Sequence, residues 1–329
     1  MPDQLVVIGG SAGAVEALAH IVRGLPPDLA AAVAVVVHFP ETTTSILPNI
    51  LRRSGSLPAA HATDGEAIRP GQIYVAPPGH HLLVADGHFR LSRGPRENGA
   101  RPAVDPLFRS AAQALGPQVI GLVLTGNLDD GTLGLAAIQQ CGGTTIAQDP
   151  ATANFPGMPA SAIAHVPVDY VVPLDAIAAQ ITALVAAAPK EEAMSPESTG
   201  GDAPLGYVPK PDNQASGFTC PECHGALWEQ QDGSLVHYEC RVGHAYSAES
   251  LLSEHADDLE EALWSAYRTL LEHAAIARRL AEAAAHAGHK RSASAYTERA
   301  VDCEHHAAVI RRTVERMDVQ LAHAPKPAS

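Results

Sequence analysis

The chain has 329 residues and a formal net charge of −14, so no basic face is expected and nucleic acid is excluded as a partner. With 46% hydrophobic but only 4% aromatic residues, its core is expected to consist of Ala, Val, Leu and Ile, as in a parallel α/β sheet. No apolar run approaches the ~20 residues that span a bilayer, no basic segment precedes the first apolar stretch, and five cysteines suggest no disulfide framework; a cytoplasmic protein without membrane insertion is expected.

The chain opens on Leu5-Val6-Val7-Ile8, which stops at Gly9-Gly10-Ser11-Ala12-Gly13. This predicts a strand, a tight turn and a helix start, with Ser11 among the free N–H groups of the helix terminus. The spacing Gly9-x-Ser11-x-Gly13 fits a nucleophile elbow with backbone donors for an oxyanion. It fits a serine that only caps the helix as well. Val15, Leu18, Ile21, Val22 and Leu25 mark an amphipathic helix over 15–25, ended by Pro26-Pro27. Residues 32–37 form an unbroken apolar run, as in a strand covered on both faces, and deliver His38. Strand, helix and strand at this spacing make a right-handed crossover, so Ser11 and His38 are expected at one edge of a parallel sheet, where such sheets bind ligands. Taken alone, His38 reads as a surface or packing histidine.

Shorter pieces follow: a helix over 45–53, a strand over 72–76, and a hairpin pairing 82–85 with 88–92 across Asp86-Gly87. Residues 94–102 read as a loop, and 105–115 as a helix with Asp105 near its start. An apolar strand over 119–126 runs into Asn127-Leu128-Asp129-Asp130-Gly131. A carboxylate at that edge completes a nucleophile, a base and an orienting acid, although Asp129 and Asp130 equally suit the turn and N-cap of the next helix. Helices over 134–141, 158–164 and 174–187, with strands over 144–147 and 170–172, complete the expected fold: an α/β domain with a doubly wound, mostly parallel sheet and helices on both faces.

Several collinear stretches carry a resemblance. They are Val7-Ile8-Gly9-Gly10-Ser11-Ala12-Gly13, Val35-Val36-Val37-His38, Ile73-Tyr74-Val75-Ala76-Pro77-Pro78-Gly79-His80-His81-Leu82, Arg101-Pro102-Ala103-Val104-Asp105-Pro106-Leu107-Phe108-Arg109, Leu124-Thr125-Gly126 with Asp130-Gly131, and Gly157-Met158-Pro159. Over residues 4–187 the chain resembles the catalytic domain of the chemotaxis protein-glutamate methylesterase, CheB. The resemblance implies a Ser11, His38 and Asp130 triad that hydrolyses glutamyl γ-methyl esters on a methyl-accepting chemotaxis receptor or a related methylated signalling protein. Methanol is released, glutamine deamidation is a second activity, and no cofactor is needed for catalysis. A cognate methyltransferase is an implied partner. Gly10, Ala12 and Asn127 fall in the oxyanion and active-site turns. Two departures stand out. The strand bearing Ser11 begins within the first ten residues, so the expectation is a stand-alone esterase without a receiver domain and without phosphorylation control in cis. Asn127 stands where the family pattern has methionine, which bears on substrate fit.

Residues 189–216 are rich in Pro, Gly, Ser, Glu and Asp and read as a flexible linker after an esterase domain over 1–188. Cys220-Pro221-Glu222-Cys223 and Cys240-Arg241-Val242-Gly243-His244 have the spacing of a tetrahedral structural zinc site. Cys220, Cys223, Cys240 and His244 are the candidate ligands, with His224 and His237 as rivals for the fourth position. Trp228, Leu235, Val236 and Tyr238 suit a small β-hairpin in a zinc-ribbon-like module over 217–247. An α-helical hairpin is expected over 248–323, broken near Gly288, with the Leu251, Leu252, Leu259, Leu263, Tyr267, Leu270 and Leu271 stripe as its own seam and oligomerisation or targeting as its role. A catalytically altered signalling scaffold that keeps the esterase fold for binding is the alternative. A dinucleotide-binding domain is disfavoured, because Ser11 and Ala14 stand where that fingerprint needs glycine.

Overall fold

The computed structural model describes residues 4–41, 44–187, 215–232 and 235–321. The chain divides into two units, Met1–Leu251 and Leu252–Ser329. Of the segment read as a linker, 189–214 lies outside the described residues, while Ala215 and Ser216 already belong to a strand.

The first unit begins with β1 (Leu5–Gly10), α1 (Ala14–Gly24), β2 (Ala32–Val37), α2 (Leu47–Ser54), β3 (Ala59–His61), β4 (Ile73–Val75), β5 (His81–Ala85) and β6 (His88–Ser92). It continues with α3 (Val104–Leu115), β7 (Val119–Val123), α4 (Thr132–Gln140), β8 (Thr144–Gln148), α5 (Gly157–His165), β9 (Tyr170–Val172) and α6 (Leu174–Ala186). Seven of these strands form one sheet in the order β3-β4-β2-β1-β7-β8-β9, and every pairing in it is parallel. Every residue of β1, β2, β7 and β8 is buried, because helices cover both faces. Side chains alternate between the two layers: Val6, Ile8, Val33 and Val35 pack with α1, α2 and α6. Leu5, Val7, Ala34 and Val36 pack with α3, α4 and the β5–β6 hairpin. β3, three residues long, is too short to show a period and is not announced by the sequence. The hairpin turns at Asp86 and Gly87, both left-handed at φ 50° and 74°, as its dipeptide predicts.

The chain enters the sheet at its middle strand and completes one side first, with β2 beside β1, β3 at the edge and β4 inserted between them, then returns to build the other side from β7. The strand order therefore reverses between β1 and β7, the place where open α/β sheets leave a crevice beyond the strand C-termini. Register fixes what arrives there. Gly10 pairs with Val37 and Gly9 with Val123, so Ser11 and His38 are the next residues on adjacent strands, with the β7–α4 turn on the other flank.

Beyond the linker lie β10 (Ala215–Thr219), β11 (Ala226–Asp232), β12 (Leu235–Cys240) and β13 (Ala245–Ser247). They form a four-stranded antiparallel sheet in that order, so the expected hairpin is only its middle pair. α7 (Ala248–His286) and α8 (Lys290–Leu321) follow. In the second unit the two helices turn at Ala287-Gly288-His289, and Arg278 pairs with Glu304 at 2.7 Å. The expected stripe is only partly the seam: Leu263, Tyr267 and Leu270 are half-buried at a spacing that runs on into Ala274 and Ala277, whereas Leu252 is 75% exposed and Leu259 and Leu271 are exposed too. The fully buried positions of this unit among the described residues are the small Ala274, Ala277, Ala300, Ala307 and Val314. No helix among the described residues is long and apolar enough to cross a membrane.

Candidate active site and Cys/His cluster

Ser11 lies between β1 and α1. It does not cap the helix: the N-cap is Gly13, at φ 75°, with no side-chain cap bond. The left-handed turn thus falls on a glycine, and Ser11 is absent from the residues with positive φ, unlike a strained elbow. Ser11 N–H donates to Thr125 O at 3.0 Å. The Thr125 hydroxyl in turn lies 3.0 Å from Ala12 O and accepts from Phe155 N–H at 2.9 Å. Among the described residues the N–H groups of Ala12 and Gly13 meet no acceptor, whereas Gly10 is committed to β1. Asn127 is exposed on the opposite turn.

Close approach at this edge depends on Gly126. A Cβ there would collide with Met158 Sδ and come within 3.0 Å of Ser11 Cβ. Gly126→Ala is therefore expected to cost about 1–3 kcal/mol by overpacking and to move Ser11, which a melting curve with a parallel rate assay would register as loss of both stability and activity.

His38 Nε2 lies 2.7 Å from Asp130 Oδ2, with the histidine partly exposed and the aspartate buried. Of the two acids the sequence left open, Asp130 faces His38, while Asp129 accepts from Ser247 Oγ at 2.7 Å. Nor does Asp130 cap its own helix. Its carboxylate accepts from Val104 N–H at 2.7 Å and Asp105 N–H at 3.3 Å, capping α3, where the helix dipole favours an anion. Asp105 reciprocates from within α3, accepting from Gly134 N–H of α4 at 2.6 Å. Burial alone would raise the Asp130 carboxyl. The His38 hydrogen bond and charge, Val104 N–H and the Asn98 amide outweigh it and hold the pKa at about 2. Burial and the Asp130 charge push the Asp105 carboxyl well up despite Arg109 and Gly134 N–H. Two carboxyls therefore share one pocket, and their surroundings push their titrations in opposite directions. Ser11 and His38 directly follow the paired Gly10 and Val37, and no hydrogen bond joins their side chains, a looseness common in catalytic pairs before substrate arrives.

The loop between β6 and α3 supplies groups that no motif in the sequence marks. Asn98 Nδ2 donates to Asp130 Oδ1 at 3.0 Å and to Asp105 Oδ2 at 3.1 Å. His81 ties the loop ends, donating from Nε2 to Pro95 O at 2.8 Å and accepting Ala103 N–H at Nδ1. These partners require its neutral tautomer, and burial lowers its pKa accordingly.

At the other candidate centre, the ligand atoms of Cys220, Cys223, Cys240 and His244 all lie within 4.8 Å of one another. His224 and His237 are not in this cluster. Cys223 Sγ and Cys240 Sγ are 3.6 Å apart, and His244 Nδ1 is 3.6 Å from Cys220 Sγ and 3.5 Å from Cys240 Sγ. A tetrahedron with metal–sulfur bonds of ~2.3 Å has sulfur–sulfur edges of about 3.8 Å, whereas a disulfide needs ~2.05 Å. The four residues fit a tetrahedral metal.

Residues 6–181 match the CheB methylesterase family. The protein-glutamate methylesterase/protein-glutamine glutaminase 2 of Anaeromyxobacter dehalogenans is 42% identical over 174 residues, 53% of this chain and 51% of that protein. The corresponding protein 1 of Xanthomonas euvesicatoria pv. vesicatoria is 42% identical over 190 residues, 56% of this chain and 53% of that one. Among solved structures, the CheB methylesterase catalytic domain of Thermotoga maritima is 36% identical, with a TM-score of 0.53, and the match covers 55% of this chain and 98% of that one. The chain spans about half the length of the curated relatives it matches.

Proposed function

Because the chain belongs to the CheB methylesterase family, we propose that it hydrolyses glutamyl γ-methyl esters, and deamidates glutamine, on a methylated chemoreceptor-like protein, with Ser11, His38 and Asp130 as its triad. The observation that carries this is the 2.7 Å His38–Asp130 contact at the sheet edge where register sets Ser11 beside His38. Asp130 occupies His38 Nε2, so Nδ1 is the nitrogen left to take the Ser11 proton as Oγ attacks the ester carbonyl. The tetrahedral oxyanion then draws on the N–H groups of Ala12 and Gly13. Collapse expels methoxide, which takes the proton back from His38 and leaves as methanol. Water, deprotonated by the same nitrogen, releases the acyl group, while the charged Asp130 carboxylate stabilises the imidazolium in each half-reaction.

Mixing the full chain with a carboxyl-methylated cytoplasmic receptor fragment should release methanol. No methanol from folded protein would defeat the esterase reading and favour the scaffold.

The Cys/His cluster is best read as structural zinc, since its four protein ligands leave no open position for a substrate. The core around it is small: Leu227, Tyr246 and Leu251 are its buried apolar residues besides the two buried cysteines. At about 1.5–3 kcal/mol for each large side chain, that burial is well below the ~10–16 kcal/mol available from zinc. One zinc per chain is expected. Cys220→Ser/Cys223→Ser should lose it, and the module should unfold while the parallel sheet survives. Folded wild-type module without metal would contradict this.

The organisation proposed is an esterase domain over 1–188, a linker from 189 that ends before β10, the zinc module from Ala215, rather than 217, to 247, and a helical hairpin from 248. The hairpin's exposed Leu259, Trp264, Leu271 and Ile276 suit it to oligomerisation or targeting.

A further inference from the structure

Asn98 sits in the left-handed region, at φ 51°, and its polar groups are committed on two sides. Toward the sheet edge its amide nitrogen donates to Asp130 and Asp105. Away from it, Asn98 N–H donates to Ala245 O at 2.8 Å, and Asn98 Oδ1 accepts Ser247 N–H at 3.0 Å. Both outer partners belong to β13 of the Cys/His module. An amide can flip, exchanging its donors for an acceptor. A fixed N–H from Ser247 demands the acceptor on the module side and so turns both side-chain donors toward the carboxyls. The reverse orientation would set Oδ1 against Asp130.

The same module reaches the neighbouring residues. Ser247 Oγ and Ser250 Oγ both donate to Asp129 Oδ1, at 2.7 and 3.1 Å. Arg96 joins Glu222 of the first cysteine knuckle to Glu41, three residues beyond His38, at 2.7 and 2.9 Å. The family match ends at residue 181, so these contacts come from outside the matched domain.

We propose that Asn98 is a positioning residue for the Asp130 carboxylate, held in its working orientation by the backbone of the Cys/His module. The proposal rests on the reading of Asp130 as the acid of the triad. Asn98 fixes Oδ1 of Asp130 so that Oδ2 stays aligned on His38, and seating of the module is thereby transmitted to the base without the module touching substrate.

The test uses the full chain. Asn98→Ala removes a hydrogen bond to a charged group and should lower kcat about 10- to 100-fold at unchanged KM. The isosteric Asn98→Asp should lose more, because it sets a third carboxyl beside Asp130. Ser247→Ala, which loses only the Oγ contacts to Asp129 and Ser250 N–H, is the reference for Ser247→Pro, which deletes in addition the N–H that orients the amide. Against that reference Ser247→Pro should lower kcat by about tenfold, and the same step should add no loss in an Asn98→Ala background, as expected of residues acting through one contact. A readout independent of turnover is the His38 Nε2–H proton resonance in ¹⁵N-labelled protein, which should move upfield in Asn98→Ala and, relative to Ser247→Ala, in Ser247→Pro. Should Ser247→Pro fail to fold, amide exchange in the wild type serves instead, with Asn98 N–H expected to be protected. An unmoved His38 resonance in Asn98→Ala, independent multiplication of the two losses, or rapid exchange of Asn98 N–H would each overturn the proposal. Absence of methanol release with a shifted resonance would defeat the esterase reading and leave the positioning role standing.

Discussion

Ser11→Ala is expected to lower kcat on the order of 10⁶-fold with little change in KM. In the proposed triad the Ser11 hydroxyl forms the acyl intermediate, and the variant removes an interaction made chiefly in the transition state. The helix should persist, because Ser11 makes no side-chain cap to lose. Melting temperature should stay near that of the wild type while methanol release disappears. A variant retaining even a tenth of wild-type kcat would place the nucleophile elsewhere.

Asp130→Asn is expected to cost about 10⁴-fold in kcat and, unlike Ser11→Ala, to cost stability as well. Oδ2 receives donors from His38 and Val104, and Oδ1 from Asn98 and Asp105. Whichever oxygen becomes NH₂, it meets two donors, and a buried donor left unsatisfied costs about 1–3 kcal/mol. The acid dependence follows from the same contacts. The folded carboxyl is held at about 2, below the ~3.9 of an unfolded aspartate. As pH falls, the unfolded chain takes the proton first, so the Asp130 contribution is complete above pH ~3.9 and is lost as pH falls through about 2. Melting curves of wild type and Asp130→Asn should be furthest apart near neutrality and converge on acidification. A gap that persists unchanged to pH ~2 would mean that the ionised Asp130 carboxylate is not what those contacts stabilise.

Much of this edge was legible in the sequence because parallel strands deliver their C-terminal residues to one place. The runs ending at Gly10, Val37 and Val123 announce Ser11, His38 and the acidic turn without any knowledge of contacts. Choosing between Asp129 and Asp130 was not possible that way. The choice depends on which partners each carboxylate meets: Val104 and His38 for one, Ser247 and Ser250 for the other. Asn98 left no trace, lying in a polar loop whose partners are 32 and 149 positions away. In the helical hairpin, periodicity identified residues that share a face but could not say what covers it. Leu263, Tyr267 and Leu270 are half-buried in line with the buried Ala274 and Ala277, while Leu252, Leu259 and Leu271 stay exposed. The short β10 and β13 carry too few residues to show a period beside the cysteine knuckles.

The most direct measurement of the central claim is a rapid acid quench of the full chain with a methylated receptor fragment, followed by proteolysis and mass spectrometry. The account predicts an ester adduct on the peptide containing Ser11, formed together with a burst of methanol and absent from Ser11→Ala. A methanol burst with no adduct on Ser11, or with the adduct on another residue, would contradict it.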